Sequence, residues 1–301
     1  MNSDLLQSCV LCGHRCRVNR LKGQVGKCRA GINLTVASHC AHHGEEPMIS
    51  GSRGSGTIFF SHCCLRCVFC QNYNISQLGK GVTVKGGRVA EMMLDLQDNG
   101  VHNINLVSPT HYAPQIMEAL ELAKQKGLKL PIVYNTGGFD SIELLKELEG
   151  KIEIYLPDLK YFNNDTALKY SGAANYAEAV KEGIAEMYRQ VGNIKFDKDG
   201  VAIKGLLVRH LVLPDNLADS EKNLDFLASL SKDIWVSIMA QYNPQHRAAE
   251  FPEIYRRLRS DEYQKVVGYA EKIGLRNLYA QDLQSSDAYL PDFMKENPFK
   301  Y

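Results

Sequence analysis

The sequence predicts an α/β fold with a parallel sheet, and three observations predict it. From residue 57 onward, short β-rich apolar runs alternate with segments of helical periodicity, the pattern of right-handed βαβ units. The composition, 45% hydrophobic and 23% charged over 301 residues, is that of a chain able to bury a large core. All nine cysteines lie in the first 70 positions, which sets a ligand-rich start apart from an α/β body.

The elements follow in order. Residues 1–50 hold five cysteines and four of the nine histidines, His14, His39, His42 and His43, with little helical periodicity. They are expected to form a cysteine-rich metal-binding module. Gly51 to Gly56 reads as a turn-rich joint, and residues 51–301 as the body. Thr57 to Ser61 is a first strand. Val89, Met92, Met93 and Leu96 mark a helix face. Asn103 to Val107 is a second strand, followed by a helix through Ile116, Met117, Leu120 and Ala123 that Gly127 closes. Pro131 to Tyr134 is a third, followed by a helix through Ile142, Leu145 and Leu148 that Gly150 closes. Ile152 to Leu156 is a fourth, with a long helix through Val180, Ile184, Met187 and Val191 behind it. Lys195 to Gly200 is a hairpin or exposed loop before a fifth strand, Leu206 to Leu213. Leu224, Leu227 and Leu230 stripe a helix before a sixth strand, Ile234 to Met239. Tyr263, Val266, Val267, Ala270 and Ile273 form the last helix face, and Leu278 to Ala280 add a short strand. Periodicity does not choose between a complete barrel, a partial barrel and an open doubly wound sheet. In each, the ligand site lies at the C-terminal ends of the strands.

Charge excludes some classes. With 35 Lys+Arg against 34 Asp+Glu, the net charge is +1; this gives no basic footprint for nucleic acid and no polybasic patch for a membrane surface. No apolar run approaches the roughly 18 residues of a membrane span, and the first ten residues lack the pattern of a secretory signal. A cytoplasmic monomer is the expectation.

The cysteines carry the chemistry. Their clustering at short spacings, and their odd number, argue against a disulfide scaffold and for metal ligation in a reducing compartment. Cys9, Cys12, Cys16 and Cys28 offer four thiolates in 20 residues, which suits a closed zinc site or an auxiliary iron–sulfur cluster. Gly23, Gly26 and Gly31 supply tight turns around the last ligand. Cys40 with His39, His42 and His43 is either a further site or, as we favour, a linker packed at the mouth of the body.

Cys63, Cys67 and Cys70, directly after the first strand, give C-x3-C-x2-C. Three thiolates from one loop can hold three irons of a [4Fe–4S] cube and leave the fourth open to a chelating ligand. This motif, with Phe69 before its last cysteine, resembles the signature of radical S-adenosylmethionine (SAM) enzymes. The wider strings Ser55 to Phe60 and Leu65 to Tyr73 are similar to the branch related to pyruvate formate-lyase-activating enzyme, here with an N-terminal cysteine module. The resemblance implies a partial (β/α)6 TIM-type barrel and an anaerobic oxidoreductase with two cofactors, a [4Fe–4S] cluster and SAM. A reduced cluster would cleave the sulfonium to a 5′-deoxyadenosyl radical that abstracts a hydrogen atom, from a glycine of a partner protein if the chain is activase-like. The alternatives are a small molecule or another side chain as substrate, or a non-catalytic iron–sulfur or zinc protein. An electron donor such as flavodoxin or ferredoxin is the expected redox partner. Cys64 stands where relatives usually carry Asn, and is read as a spare thiol or a mis-ligation risk, with the family register favouring Cys63 as the ligand.

Other positions follow from the same resemblance and from the strand ends. Phe69 is placed to pack near the adenine. Ser108 and Thr110 stand where relatives hold the SAM amino group with a different, Gly-Gly-Glu-type segment. His111 is either functional or structural. Asn135 and Thr136 offer polar groups beside Gly137 and Gly138. Asp158 and Lys160 resemble the Asp-x-Lys segment of activases, with Lys160 suited to the SAM carboxylate. Arg209 and His210 are adjacent on one strand, so they face opposite ways. An inward Arg209 is expected to meet a carboxylate, chiefly that of SAM, and His210 to be a satisfied core residue. Gln241 is a candidate for the ribose or adenine. Glu45-Glu46-Pro47 resembles the same branch, with no role derivable from sequence.

Overall fold

A computed structural model describes residues 4–285, 290–293, 295 and 297–299. In chain order its strands are β1 (Leu34–His42), β2 (Ser55–Phe60), β3 (Val82–Val84), β4 (Ile104–Val107), β5 (Ile132–Thr136), β6 (Ile154–Pro157), β7 (Lys195–Phe196), β8 (Ala202–Leu211), β9 (Trp235–Met239) and β10 (Asn277–Ala280). Its helices are α1 (Asp4–Gln7), α2 (Pro47–Ser50), α3 (Tyr73–Ser76), α4 (Gly86–Asp98), α5 (Ala113–Gln125), α6 (Ile142–Leu148), α7 (Asn164–Ser171), α8 (Tyr176–Val191), α9 (Ser220–Leu230) and α10 (Ser260–Lys272).

Strand order decides the architecture that periodicity left open. The sheet runs β10-β9-β8-β6-β5-β4-β2-β1-β3, with β7 paired to β8. From β2 to β10 every pairing on this path is parallel. Successive strands lie side by side in one direction, with no reversal of order of the kind a doubly wound sheet needs. Right-handed crossovers therefore place the helices on one face, and the sheet curls as an open, partial barrel. The expected strands and helices of the body are present, including the 195–200 hairpin, whose β7 pairs antiparallel with β8.

Each helix forms where its sequence supplies a stripe and a stop. α4 buries Val89, Ala90, Met92, Met93 and Leu96, the i, i+3, i+4, i+7 face of an amphipathic helix. α5 begins on Pro114 in its first turn, where a missing N–H costs nothing. The Ser141 hydroxyl accepts from the Leu144 amide at 3.2 Å and caps α6. Strands β4, β5 and β6 are almost wholly buried, as strands between helices and a filled interior must be.

The boundary expected at residue 50 does not divide the fold. β1 pairs antiparallel with β2 from Val36–Phe60 to His42–Ser55, and β3 extends the sheet beyond it. Residues 34–42 thus belong to the main sheet. Residues 4–33 dock on the connection after β5: the Gly13 amide donates to Phe139 O at 3.1 Å and the Ser141 amide to Leu11 O at 3.1 Å, while Arg15 forms a bidentate pair with Glu143 at 2.9 and 2.6 Å. No helix among the described residues is long and apolar enough to cross a membrane.

Candidate active site

The parallel register brings the strand ends level. Phe59 pairs with Val107, Val107 with Asn135, Asn135 with Leu156, and Leu211 with Met239. Beyond these ends lies a cavity of about 290 Å³ lined by the loop after β2 and by residues following β4, β5, β6, β8 and β9. Of the positions singled out from sequence, Cys63, Cys67, Cys70, Phe69, Ser108, Asn135, Thr136, Asp158, Lys160, Arg209 and Gln241 all line it.

The loop that carries the three cysteines is tied to the body. The Arg66 amide donates to Ser171 O at 2.9 Å, the Val68 amide to Tyr170 O at 2.8 Å, and the Arg247 amide to Val68 O at 2.8 Å. Each lining sulfur meets a donor group. The Leu65 amide points at Cys63 Sγ at 3.4 Å, the Ser171 hydroxyl at Cys67 Sγ at 3.0 Å, and the Ser76 hydroxyl lies 3.2 Å from Cys70 Sγ. Such contacts suit sulfurs that carry negative charge on a metal. Burial pushes the Cys67 thiol up to about 12 and raises Cys70 as well, whereas the contact with Cys64 lowers Cys63 to about 7. Cys64 lies outside this set. It is 2% exposed, its thiol sits between the sulfurs of Cys63 and Cys12, and its carbonyl is held by His14 Nε2 at 2.9 Å.

Opposite the loop stands a positive group. Lys160 Nζ donates to Asp158 Oδ2 at 2.6 Å. Burial opposes its charge, but Asp158 and the nearby sulfurs of Cys67 and Cys70 outweigh burial and raise its pKa. The turn after β5 packs against the backbone of Asp158 and requires glycine at 138: with φ at +78°, a Cβ there would stand 2.3 Å from Asp158 O. Phe69 packs edge-on against Tyr242, with ring centroids 5.4 Å apart. Gln241 accepts at its side chain from Gln281 Nε2 at 3.0 Å, and its carbonyl holds Gln71 Nε2 at 2.9 Å, so it braces the far wall.

Three sequence expectations change. Thr110 turns away from the cavity: its hydroxyl donates to Asp140 Oδ1 at 2.8 Å, inside a buried knot in which Thr136 and Tyr134 also donate to Asp140, at 2.6 and 2.8 Å. A single hydroxyl hydrogen committed to a buried carboxylate is not free for a ligand. Arg209 does meet carboxylates, but they are Glu45 and Glu46: Nε reaches Glu46 Oε1 at 2.8 Å, Nη2 reaches Glu46 Oε2 at 2.6 Å and also Glu45, and Nη1 reaches Asn135 Oδ1 at 3.4 Å. Burial works against ionisation of Glu46, yet the Arg209 guanidinium holds it below the usual carboxylate range. The unassigned Glu45-Glu46 pair is therefore the counterion of the strand-end arginine. The third concerns Cys40 and its histidines. In β1, His39 and Cys40 point to opposite faces, Cys40 Sγ lies 3.7 Å from the Thr57 hydroxyl, and His42 lines the cavity, stacked by Phe299 at 3.7 Å. Among the described residues, no three His, Cys, Asp or Glu side chains stand at single-ion spacing.

Both histidines of doubtful role are structural. His210 is buried, with Nδ1 2.7 Å from Leu159 O and Nε2 2.8 Å from the Ser220 hydroxyl. Burial lowers its pKa to about 4. His111 Nε2 lies 2.8 Å from Ser61 O, and burial lowers its pKa to about 3.

The model of the radical SAM superfamily matches residues 57–227, which is 171 of the 301 residues. The chain belongs to the radical SAM superfamily. An uncharacterized protein of Methanocaldococcus jannaschii is 31% identical over 286 residues, 92% of this chain and 78% of its own length. The pyruvate formate-lyase-activating enzyme of Clostridium pasteurianum is 24% identical over 196 residues, 62% of this chain and 73% of that one. Among solved structures, Streptococcus suis SuiB bound to S-adenosylmethionine superposes with a TM-score of 0.51 at 15% identity, over 75% of this chain. Methylornithine synthase (PylB) gives 0.50 at 16%, over 75% of this chain and 70% of its own. These two share the partial-barrel fold; this chain matches about half the length of SuiB. As a radical SAM protein, the chain is an enzyme whose cofactors are a [4Fe–4S] cluster and S-adenosylmethionine.

Proposed function

We propose that Cys63, Cys67 and Cys70 hold the [4Fe–4S] cluster, and that the enzyme abstracts a hydrogen atom from a protein, as an activase does. The donor group at each of the three sulfurs and their place on the cavity wall support the ligand set. Bound there, the cluster and its cosubstrate supply a one-electron cleavage that yields a 5′-deoxyadenosyl radical. The chain's own residues bind and orient. Lys160, held by Asp158, offers an ammonium to the cosubstrate carboxylate. Ser108 and Asn135 present polar groups at neighbouring strand ends, and Phe69 and Tyr242 wall off water on the cysteine side.

Cavity size carries the protein-substrate reading. About 290 Å³ is at the small end of cofactor and ligand sites, which run from roughly 300 to 1,000 Å³. Cluster and nucleoside would take up much of that space, which favours a reacting C–H presented from outside, as an extended segment of a partner can do. The similarity to an enzyme named for activating pyruvate formate-lyase points the same way, toward a glycine C–H. The test is anaerobic, with reconstituted enzyme, SAM and extract separated by ultrafiltration. The retained protein fraction should raise 5′-deoxyadenosine formation several-fold and produce a carbon-radical EPR signal in a chain other than the enzyme. Stimulation by the small-molecule filtrate alone would assign the alternative, a small-molecule substrate.

A further inference from the structure

The N-terminal segment holds a buried charge with no counterion. Arg20 is 1% exposed. Its two terminal nitrogens donate to the carbonyls of His111 and Gly31, its Nε has no partner, and no carboxylate meets it among the described residues. Between Asp4 and Glu45 the sequence has six Lys and Arg residues and no acid at all. A guanidinium cannot shed its proton, and a buried cation left unpaired costs several kcal/mol. The side chains around it are those of Cys9, Cys28, Tyr112, His62 and His111. Orphaned buried atoms gather here as well: His62 Nδ1, His111 Nδ1, Tyr112 OH and Arg66 Nη1 all lack partners. The site is short of one anion.

The cysteines can supply it. The backbone amides of Leu11, His14 and Ala30, each two residues past its cysteine, approach the sulfurs of Cys9, Cys12 and Cys28. The Lys27 amide points at Cys16 Sγ at 3.5 Å. Every one of the four sulfurs thus faces an amide, as each sulfur of the cluster loop faces a donor group. Four thiolates on a divalent or iron–sulfur core carry a net negative charge. We propose that Cys9, Cys12, Cys16 and Cys28, no three of which stand at single-ion spacing in this structure, draw together on a thiolate-ligated metal centre whose charge Arg20 balances. With four protein ligands it has no open position, so it holds structure and does not bind substrate. It fastens the segment that docks at Phe139–Ser141. These ligands precede residue 57, outside the matched family region, and the proposal is independent of the reaction proposed above.

The test uses the full chain with Cys63, Cys67 and Cys70 all changed to Ala, purified and reconstituted without oxygen, so that cluster iron does not mask the second centre. Elemental analysis should find either about one zinc or about four irons with sulfide per chain, and either result identifies the metal. Cys12→Ser or Cys28→Ser on this background should lose it. Arg20→Met, which leaves all four ligands in place, should weaken retention against a chelator by roughly 10- to 100-fold, with Arg20→Lys restoring part of it. In the unmutated protein, the four thiols should become reactive to a thiol reagent only when the chelator is added. A chain that folds but holds neither metal, or a metal that survives both serine changes, overturns the proposal. So does retention unchanged by Arg20→Met.

Discussion

The two cysteine sets of this chain are built in opposite ways. Cys63, Cys67 and Cys70 sit on a loop strapped to the barrel by Ser171, Tyr170 and Arg247, with their sulfurs on the wall of a cavity. Cys9, Cys12, Cys16 and Cys28 sit on tight local turns: Arg15, Arg17 and Arg29 all adopt φ between 44° and 62°, a left-handed region that non-glycine residues enter at a cost. On the proposed ligation, three ligands on a rigid scaffold leave a coordination position for chemistry, and four ligands on a self-wrapped segment leave none. The difference teaches that ligand count and anchorage, not cysteine content, separate a reactive centre from a fastening one.

The sharpest way to break the comparison is to remove a ligand from one set and count metal in both. Cys67→Ala should abolish cluster binding and lower SAM cleavage by more than ~100-fold, read as iron content and 5′-deoxyadenosine yield. Metal held by the N-terminal set should stay. Loss of both together would mean that the two centres form one cooperative unit.

A smaller effect belongs to the carboxylates at the cavity. Glu46 is buried and paired with Arg209, and its pKa is depressed because that attraction outweighs burial. A depressed carboxylate contributes stability that is fully present above its unfolded value, about 4.3, and lost as pH falls through the folded value. Glu46→Gln should therefore cost about 3 kcal/mol at neutral pH, the low end for a broken buried pair, because Glu45 still meets Arg209. The variant's urea midpoint should also fall less steeply below pH 4 than that of the unmutated chain. Parallel acid limbs would show that Glu46 is protonated in the fold and that Glu45 alone carries the pair.

That pair also marks where sequence reading stops. The parallel strands were legible because each is a short apolar run bounded by turns and followed by a helical stripe. The cluster loop was legible because its three ligands are neighbours in sequence. Glu46 and Arg209 are 163 residues apart, and no local pattern joins them; the fold alone makes them a pair. Thr110 was misplaced for a related reason. Its position after β4 is right, but the partner that claims its hydroxyl, Asp140, lies 30 residues on. β1 was hidden differently. The alternation of Leu34, Val36 and Ser38 reads as a half-buried strand, but the His39, Cys40, His42 and His43 that follow draw attention as ligands. α7 was hidden by the weakness of its stripe, since only Ala167, Tyr170 and Ser171 are buried.

The smallest expected effect tests the contact between the two sets. Cys64 is the one cysteine that touches both, with its thiol between Cys63 and Cys12. A thiol has one hydrogen, so it donates to one sulfur at a time, and neither centre depends on it for a ligand. Cys64→Ala should leave iron content and SAM cleavage within about fivefold of the unmutated enzyme, since a single neutral hydrogen bond contributes only about 1 kcal/mol. What should change is the cluster's reduction potential, because hydrogen bonds to ligand sulfurs help to set it; removing a donor should lower it, and Cys64→Ser should lower it less. EPR-monitored redox titration of the three proteins reads this directly. If Cys64→Ala instead strips the iron while Cys63→Ala keeps it, the ligand register is shifted by one residue and Cys64, not Cys63, belongs to the catalytic set.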